Sequence, residues 1–298
     1  MPKNSFLSSK KSQETHILIR HSVPIAHLTT FQNQGCVQEV IQFSSLDLLK
    51  EFICSKKTYY ILGKGSNTLI NPDTDIPTFI QIAPDMFPIV TENAHLRVCA
   101  GISVHKLMTL LQENGLSGLE FAAGVPASVG GMVAMNFGCW GQEIADFIVK
   151  VHLLDEQGRD FWLEKNQLQF AYRSSIFQHK PWIILEAIFA CSPLDPATIK
   201  ETILKNIQTR IDKQPLKAKT FGSTFKNPPG NFAAALLEKN GFKNKEINGV
   251  KFSSKHANFM VNCGHATFQE CFQLIQDAIQ TVEKNDHIRL EPEVKLIL

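Results

Sequence analysis

The chain has 298 residues, a formal net charge of +2, and 44% hydrophobic and 19% charged residues. Such a composition is typical of a folded globular protein and excludes a wholly disordered chain. The near-neutral balance of charge argues against a dedicated nucleic-acid-binding protein, which would carry clustered lysine and arginine. The length by itself predicts about two domains.

The cysteines and histidines form no recognisable structural or metal-binding pattern. The seven cysteines include no C-x-x-C pair, so neither a disulfide framework nor a zinc ribbon is expected. The ten histidines show no ligand spacing, and no metal is predicted. Reduced thiols and a polar N-terminus without an apolar signal segment predict a cytoplasmic protein.

One uncharged stretch, residues 121–142, is long enough to cross a bilayer, which takes ~20 residues. Its glycines and Pro126 would break a lipid-facing helix. We therefore expect this backbone to approach something buried, and we predict no membrane partner.

The N-terminal part of the chain is predicted to alternate helices and short strands. Residues 1–20 are expected to form a loose tail. Ser44 and Ser45 precede apolar residues at helical spacing and predict one helix start, and Ser103 and Gly115 are the predicted ends of a second helix. β-rich runs predict strands at 58–62, 78–82, 96–100, 148–154, 160–163 and 182–190.

The pattern of predicted elements changes near residue 195, where a long amphipathic helix follows the short strands. Asp195 and Pro196 form a cap and first-turn pair, and isoleucines then recur every four residues, which predicts an amphipathic helix that opens a second unit. Thr267 and Glu270 form a capping box at the start of a later helix. Residues 294–298 predict a final strand. The pattern indicates two α+β units that meet near residue 195.

Two glycine-rich segments have the residues that an anion would need. The first, 63–67, follows a strand, and its glycines, serine and asparagine suit a phosphate, although an ordinary turn has the same composition. The second, 124–131, places Ser128 at the start of a short helix, whose amino end attracts anions. The alternative interpretation of this second segment is a tightly packed part of the core. Together the two segments indicate a ligand with a diphosphate.

Four further segments carry side chains that could take part in catalysis or ligand binding. Arg173 could clamp a carboxylate through two parallel hydrogen bonds, although a surface ion pair is the simpler interpretation. Ser223 could act as a general acid or belong to a polar loop. Glu293 could support an active site or lie in a solvated turn. His256 is expected to be structural or to hold a ligand.

The ordered set of these motifs resembles the UDP-N-acetylenolpyruvoylglucosamine reductase family. The resemblance runs from about residue 22 to the C-terminus. Its motifs are G-x-G-S-N at 63–67, G-x-P-x-S-x-G-G at 124–131, Y-R-x-S at 172–175, G-S-x-F-K-N-P at 222–228 and E-P-E-V at 291–294. The short span between Arg173 and Ser223 is similar to the family's compact second type, which lacks a substrate-capping insertion.

The resemblance implies an α+β protein with an FAD-binding fold of the vanillyl-alcohol-oxidase (PCMH) type in two subdomains, followed by a C-terminal α+β substrate domain. The implied divisions are an N-terminal tail at 1–20, an FAD-binding domain at 21–195 with its subdomains split near residue 83, and a substrate-binding domain at 196–298.

The resemblance also implies an activity. It is that of an NADPH-dependent flavoenzyme that reduces the enolpyruvyl group of UDP-N-acetylglucosamine-enolpyruvate to UDP-N-acetylmuramate in peptidoglycan synthesis. Non-covalent FAD would deliver a hydride from its N5 atom. Arg173 would bind the substrate carboxylate, Ser223 would donate the proton, and Glu293 would complete the polarising pair. Lys295 stands where relatives often have arginine, which removes a bidentate contact.

Binding residues follow from the same resemblance. The implied cofactor-binding residues are Gly63, Lys64, Gly65, Ser66, Asn67, Gly124, Pro126, Ser128, Gly131, Asn136, Gly138 and Ile144. The implied substrate-binding residues are Tyr172, Lys213, Asn227 and His256. Two alternatives stay open from the sequence: another FAD-dependent oxidoreductase of the same fold, and a non-catalytic nucleotide-binding protein.

Overall fold

The computed structural model describes residues 17–298. Its first unit is built on a four-stranded sheet of order β1-β2-β5-β3, in which β1 runs antiparallel to β2 and the other pairs are parallel. The elements of this unit are β1 (Ile17–Pro24), β2 (Cys36–Phe43), α1 (Leu46–Cys54), β3 (Tyr59–Ile61), β4 (Thr68–Ile70) and β5 (Thr78–Ile82).

The second unit contains a five-stranded antiparallel sheet of order β12-β11-β13-β7-β6 with short helices packed around it. Its elements are β6 (Val90–Glu92), β7 (His95–Cys99), α2 (Val104–Glu113), β8 (Leu116–Ser117), α3 (Val129–Ala134), β9 (Gly138–Cys139), β10 (Gln142–Glu143), α4 (Ile144–Phe147), β11 (Ile148–Leu154), β12 (Asp160–Glu164), β13 (Ile183–Ala190) and β14 (Ser192–Pro193).

The C-terminal part carries two long helices and a three-stranded sheet of order β15-β16-β17. Its elements are α5 (Pro196–Lys213), α6 (Ala233–Lys239), β15 (Glu246–Ile247), β16 (Val250–Phe252), β17 (Met260–Asn262), α7 (Phe268–Asp286) and β18 (Lys295–Ile297). The last strand, β18, returns to the first unit and pairs in parallel with β4. Phe31 and Leu69 of the first unit are buried in the same core as α6 and α7.

The predicted helix starts are confirmed by side-chain caps. Ser45 accepts a hydrogen bond from the backbone N–H of Leu48, and Ser103 accepts one from Lys106. Asp195 caps α5, and the box of Thr267 and Glu270 caps α7. Each cap satisfies a backbone N–H that the first helical turn leaves without an internal partner, which is why so local a signal predicts a boundary.

The predicted tail is wrong for its last four residues. Ile17–Arg20 belong to β1, where Ile17 lies opposite Phe43 and Arg20 opposite Val40. These four residues pair with a strand twenty or more positions away, so their place in a sheet depends on a partner that is distant in sequence. Residues 1–16 of the predicted tail lie outside the described residues.

Helix α5 lies on the C-terminal side of the predicted boundary near residue 195, yet it does not pack with the C-terminal core. Ile199 and Ile203 are buried in the core of the second unit, with Ile207 packed against it, and α5 contacts α2. The domain boundary stays a prediction, and this packing favours a position after α5. Among residues 17–298, no helix is both long and apolar enough to span a membrane.

A partly buried ionic network joins the first two units. The Arg97 guanidinium donates to both carboxylate oxygens of the fully buried Glu186, at 2.7 and 2.9 Å. The His152 ring contacts Glu186 through Nδ1 at 3.0 Å and Asp160 through Nε2 at 2.8 Å. Lys50, on α1 of the first unit, also binds Asp160. Burial alone would lower the pKa of His152, but its hydrogen bonds with the two carboxylates raise it above the ordinary value.

We expect His152 to make stability depend on pH. Because its pKa is raised in the folded state, its contribution is complete below the ordinary value of ~6.5 and is lost as pH rises through the folded value. His152→Asn should therefore cost ~1–3 kcal/mol of unfolding free energy at pH 6 and less at pH 9. Urea unfolding at the two pH values measures this, with His105→Asn on the exposed face of α2 as the control. An equal cost at both pH values would contradict the expectation.

Candidate active site

The two glycine-rich segments meet in the structure. The turn at 63–67 follows β3, and Ser128 caps α3, where its Oγ accepts the Gly131 N–H at 3.3 Å. A Cβ built on Gly63 would lie only 2.6 Å from the Ser128 Oγ. The two segments that the sequence assigned to one diphosphate are therefore in contact, and the space between them tolerates no additional side-chain atom.

Gly65 fixes the position of the first turn. Its φ is +61°, and a Cβ there would lie 2.2 Å from the carbonyl oxygen of Leu28. The Thr30 N–H also donates to the Gly65 carbonyl at 3.2 Å. Only glycine fits, because the backbone conformation is left-handed and the neighbouring backbone is too close.

A cavity of about 460 Å³ opens beside this turn, lined in part by Gly63, Lys64, Thr29 and Arg20. The buried Nε of Arg20 has no hydrogen-bond partner within residues 17–298. A phosphate-bearing cofactor needs a backbone turn without side chains and a cationic group with a free N–H. The glycine turn provides the first and Arg20 the second. The residues present therefore fit FAD.

Gly65→Ala is expected to abolish flavin retention. The added methyl group meets the Leu28 carbonyl and forces a left-handed alanine, which together cost ~2–5 kcal/mol at this turn. The flavin absorbance per protein after gel filtration measures the effect. Gly241→Ala is the matched control, because Gly241 has φ +75° but open space around its Cβ position. Full flavin content in the Gly65 variant would contradict the expectation.

Arg173 and Glu293, which are separated by 120 positions, form an ion pair with 2.9 Å between Nε and Oε1. The Arg173 Nη2 also donates to the Gly138 carbonyl at 2.8 Å. The two side chains are only 18% and 15% exposed. Burial raises the pKa of Glu293, and the Arg173 guanidinium offsets part of that rise. Arg173 is thus a largely buried cation with a carboxyl group beside it, and not the surface ion pair of the simpler interpretation.

Ser223 lies in the segment that binds Glu293. Its backbone pairs with Phe259, while the next residue, Thr224, accepts the Glu293 N–H at 2.8 Å. The backbone carbonyl of Glu293 in turn accepts a hydrogen bond from the side-chain amide of Asn67, in the first glycine turn, at 3.0 Å. A Cβ on Gly222 would lie 3.9 Å from the Ser66 carbonyl. The structure therefore brings the serine, the ion pair and the first glycine turn together.

Two lysines add positive charge to this region. Lys226 pairs with Glu291, and Lys295 binds Gln178. Burial and the nearby Lys226 lower the pKa of Lys295. A cluster of cations around Glu293 suits an anionic substrate.

Two predicted substrate-binding residues, Tyr172 and Asn227, contact each other. The Asn227 N–H donates to the Tyr172 hydroxyl at 3.3 Å, which links the second unit to the C-terminal part. The His256 ring packs against Phe259, the residue whose backbone pairs with Ser223; its Nδ1 accepts the Asn258 N–H at 3.3 Å, and burial lowers its pKa. Lys213 is exposed at the end of α5.

Some predicted cofactor-binding residues have a structural use of their own. The Asn136 side chain donates to the Ala171 carbonyl and accepts the Ala145 N–H, each at 3.0 Å. Ile144 is fully buried in the core of the second unit. The Gly138 carbonyl accepts from Arg173, as described above. Direct contact of these three residues with a flavin stays a prediction.

Arg210 is a residue that the sequence analysis missed. It is buried on α5 and donates to the carbonyls of Phe121 and Ala123, both at 2.8 Å, so it holds the start of the second glycine segment. Its guanidinium also lies 4.6 Å from the Trp140 ring centre. A signal was available: Arg210 follows Ile207 by three positions and so lies on the apolar face of the predicted helix.

Comparison with known proteins assigns the fold. Residues 46–164 match the FAD binding domain family, and residues 214–297 match the C-terminal domain family of UDP-N-acetylenolpyruvoylglucosamine reductase. The UDP-N-acetylenolpyruvoylglucosamine reductase of Bacillus subtilis (strain 168) is 36% identical over 279 residues, which cover 92% of each chain. That of Halalkalibacterium halodurans is 35% identical over 286 residues, 94% of each chain.

A solved structure agrees with these matches. The crystal structure of UDP-N-acetylenolpyruvylglucosamine reductase from Thermus caldophilus superposes with a TM-score of 0.80 at 27% identity and covers 95% of this chain and 99% of its own. The fold and the glycine cradle thus define an FAD-dependent oxidoreductase. The chain belongs to the UDP-N-acetylenolpyruvoylglucosamine reductase family. The predicted family, fold class and flavin cofactor are confirmed.

Proposed function

We propose that this protein reduces the enolpyruvyl group of UDP-N-acetylglucosamine-enolpyruvate to the lactyl ether of UDP-N-acetylmuramate, with NADPH as the source of electrons, in peptidoglycan synthesis. The observation that carries the proposal is the largely buried pair of Arg173 and Glu293 next to the segment of Ser223 and the glycine turn at 63–67. The names of the relatives support the substrate.

The glycine turns are the proposed site of the FAD diphosphate. The turn at 63–67 and the segment at 124–131 are in contact through Gly63 and Ser128, and Lys64 lies at the rim of the adjoining cavity. When bound, FAD supplies the reducing equivalents that it takes from NADPH. The protein's part is to hold this cofactor against the cluster of Arg173, Ser223 and Glu293.

Arg173 is the proposed anchor of the substrate carboxylate. An arginine offers two parallel N–H donors to a carboxylate, and here the guanidinium is already aimed into the site by the Gly138 carbonyl. A bound carboxylate shares Arg173 with Glu293. Two carboxylates that compete for one cation raise the pKa of one of them, so substrate binding adds to the rise that burial already causes at Glu293.

Glu293 and Ser223 are the proposed proton-bearing groups. Reduction at the terminal carbon leaves negative charge on the adjacent carbon, delocalised into the carboxylate, where the Arg173 cation and a protonated Glu293 stabilise it. The Ser223 Oγ then gives its proton to that carbon. Asn258 keeps the Ser223 segment in place during this transfer, because its carbonyl accepts the Thr224 N–H and its side-chain oxygen accepts the Phe225 N–H.

The proposed location is the cytoplasm. All seven cysteines are free thiols, and none is paired with another, as is typical of a reducing compartment. We propose that the protein meets its two small-molecule partners, NADPH and the UDP-linked enol ether, in the same compartment.

An absorbance experiment tests the proposal. The purified protein is expected to show an oxidised flavin spectrum, to be bleached by NADPH without oxygen, and to regain its colour when UDP-N-acetylglucosamine-enolpyruvate is added. Bleaching without recovery on this substrate would favour another FAD-dependent oxidoreductase. A protein that stays colourless after incubation with FAD would contradict the proposal and favour a non-catalytic nucleotide-binding protein.

A further inference from the structure

Arg173 stands in an unfavourable backbone conformation. It lies in a tight turn closed by two hydrogen bonds of 3.0 Å between Ala171 and Ser174. Its φ of +54° is left-handed, a region that residues with a Cβ adopt rarely and only when the surroundings hold them there. The direction of the guanidinium therefore depends on what fixes this turn.

Two side-chain amides fix the carbonyls of the turn. Asn136 donates to the Ala171 carbonyl at 3.0 Å. The Gln178 Nε2 donates to the Arg173 carbonyl at 3.0 Å and lies 3.1 Å from the Ala134 carbonyl at the end of α3. Gln178 thus ties the peptide of Arg173 to α3, the helix in which the second glycine segment ends.

The other end of the same amide reaches the C-terminal strand. The Gln178 Oε1 accepts a hydrogen bond from Lys295, which is two residues beyond Glu293 at the start of β18. One side chain therefore connects to both polypeptide segments that supply the ion pair: by its nitrogen to the Arg173 peptide, and by its oxygen to the segment of Glu293.

We infer that Gln178 is a positioning residue that sets the geometry of Arg173 relative to Glu293, an inference that rests on the proposed function. Only a side chain with a donor and an acceptor serves both contacts. A glutamate at 178 would keep the Lys295 bond but place a carboxylate against two carbonyl oxygens. A leucine of similar size would make neither bond.

The test separates the two half-reactions. In Gln178→Leu and Gln178→Glu, reoxidation of the reduced flavin by UDP-N-acetylglucosamine-enolpyruvate should slow ~10- to 100-fold, because small misplacement of a catalytic group has effects of that size. Reduction by NADPH and the flavin spectrum should stay within about twofold of wild type, since neither depends on Arg173. Gln269→Leu, an exposed glutamine at the start of α7, is the control for a generic substitution.

A double mutant distinguishes positioning from general structural support. If Gln178 acts through Arg173, adding Gln178→Leu to Arg173→Lys should change reoxidation by no more than about threefold. Unchanged reoxidation in both single variants, or equal losses in the two half-reactions, would overturn the inference. Failure of the wild-type protein to reoxidise with this substrate would instead overturn the proposed function, so the two failures are distinguishable.

Discussion

Replacing Ser223 with alanine is expected to block the reaction after the flavin has been reduced. NADPH should still bleach the cofactor at its normal rate, because that step needs no proton from the serine. Reoxidation by UDP-N-acetylglucosamine-enolpyruvate should fall by ~10²–10⁴, the usual loss when a positioned proton donor is removed. Stopped-flow absorbance with the reduced enzyme and the substrate measures the rate directly.

The fold should tolerate this change. Ser223 is only half-buried, and it is held by a backbone pairing with Phe259 that alanine retains. Ser254→Ala, at an exposed position of the same C-terminal part, is the matched control and should reoxidise normally. Rapid reoxidation in Ser223→Ala would remove this serine from the mechanism and leave another group to supply the proton.

Arg173→Ala is expected to have the second large effect. The change removes the cation that stabilises the developing charge, so reoxidation by the substrate should fall by ~10²–10³ while reduction by NADPH is preserved. The substrate should also bind more weakly, because its carboxylate loses its bidentate partner. Steady-state kcat and KM, measured beside the two half-reactions, separate the binding effect from the chemical one.

The lysine variant refines this test. Arg173→Lys keeps a positive charge but cannot donate along two fixed directions to Gly138 and Glu293. Compared with Arg173→Ala, it should therefore recover part of the substrate affinity but little of the rate of flavin reoxidation. Arg159→Lys, whose side chain is 73% exposed on a hairpin of the second unit, is the control. Full activity in Arg173→Ala would refute the proposed anchor.

The residues of the site could be predicted from sequence because each belongs to a short motif and the ordered set of these motifs resembles a known family. Arg173, Ser223 and Glu293 were identified within such motifs, and the structure places them in one region. Gln178 has no such signal. It follows Arg173 by five positions at the end of a short 3₁₀ helix (Ile176–Gln178), and its contacts with Ala134 and Lys295 exist only because α3 and β18 converge there.

Errors in the predicted organisation have the same origin. The isoleucines of α5 predicted the helix and its apolar face, but not that the face would pack against the second unit. Ile17–Arg20 were assigned to a tail, whereas they pair with residues of β2. A periodic pattern indicates that a surface is buried and does not say which surface covers it.

The sequence by itself determined the helix starts and the glycine turns, because caps and left-handed turns act over a few residues. The roles predicted for Arg173, Ser223 and Glu293 came from the resemblance to a known family. Only the tertiary structure decided that β18 pairs with β4, more than 200 positions away, and thereby brings Glu293 to Asn67 and Arg173. Such pairing depends on which distant surfaces bury one another, and the same burial raises the pKa of Glu293.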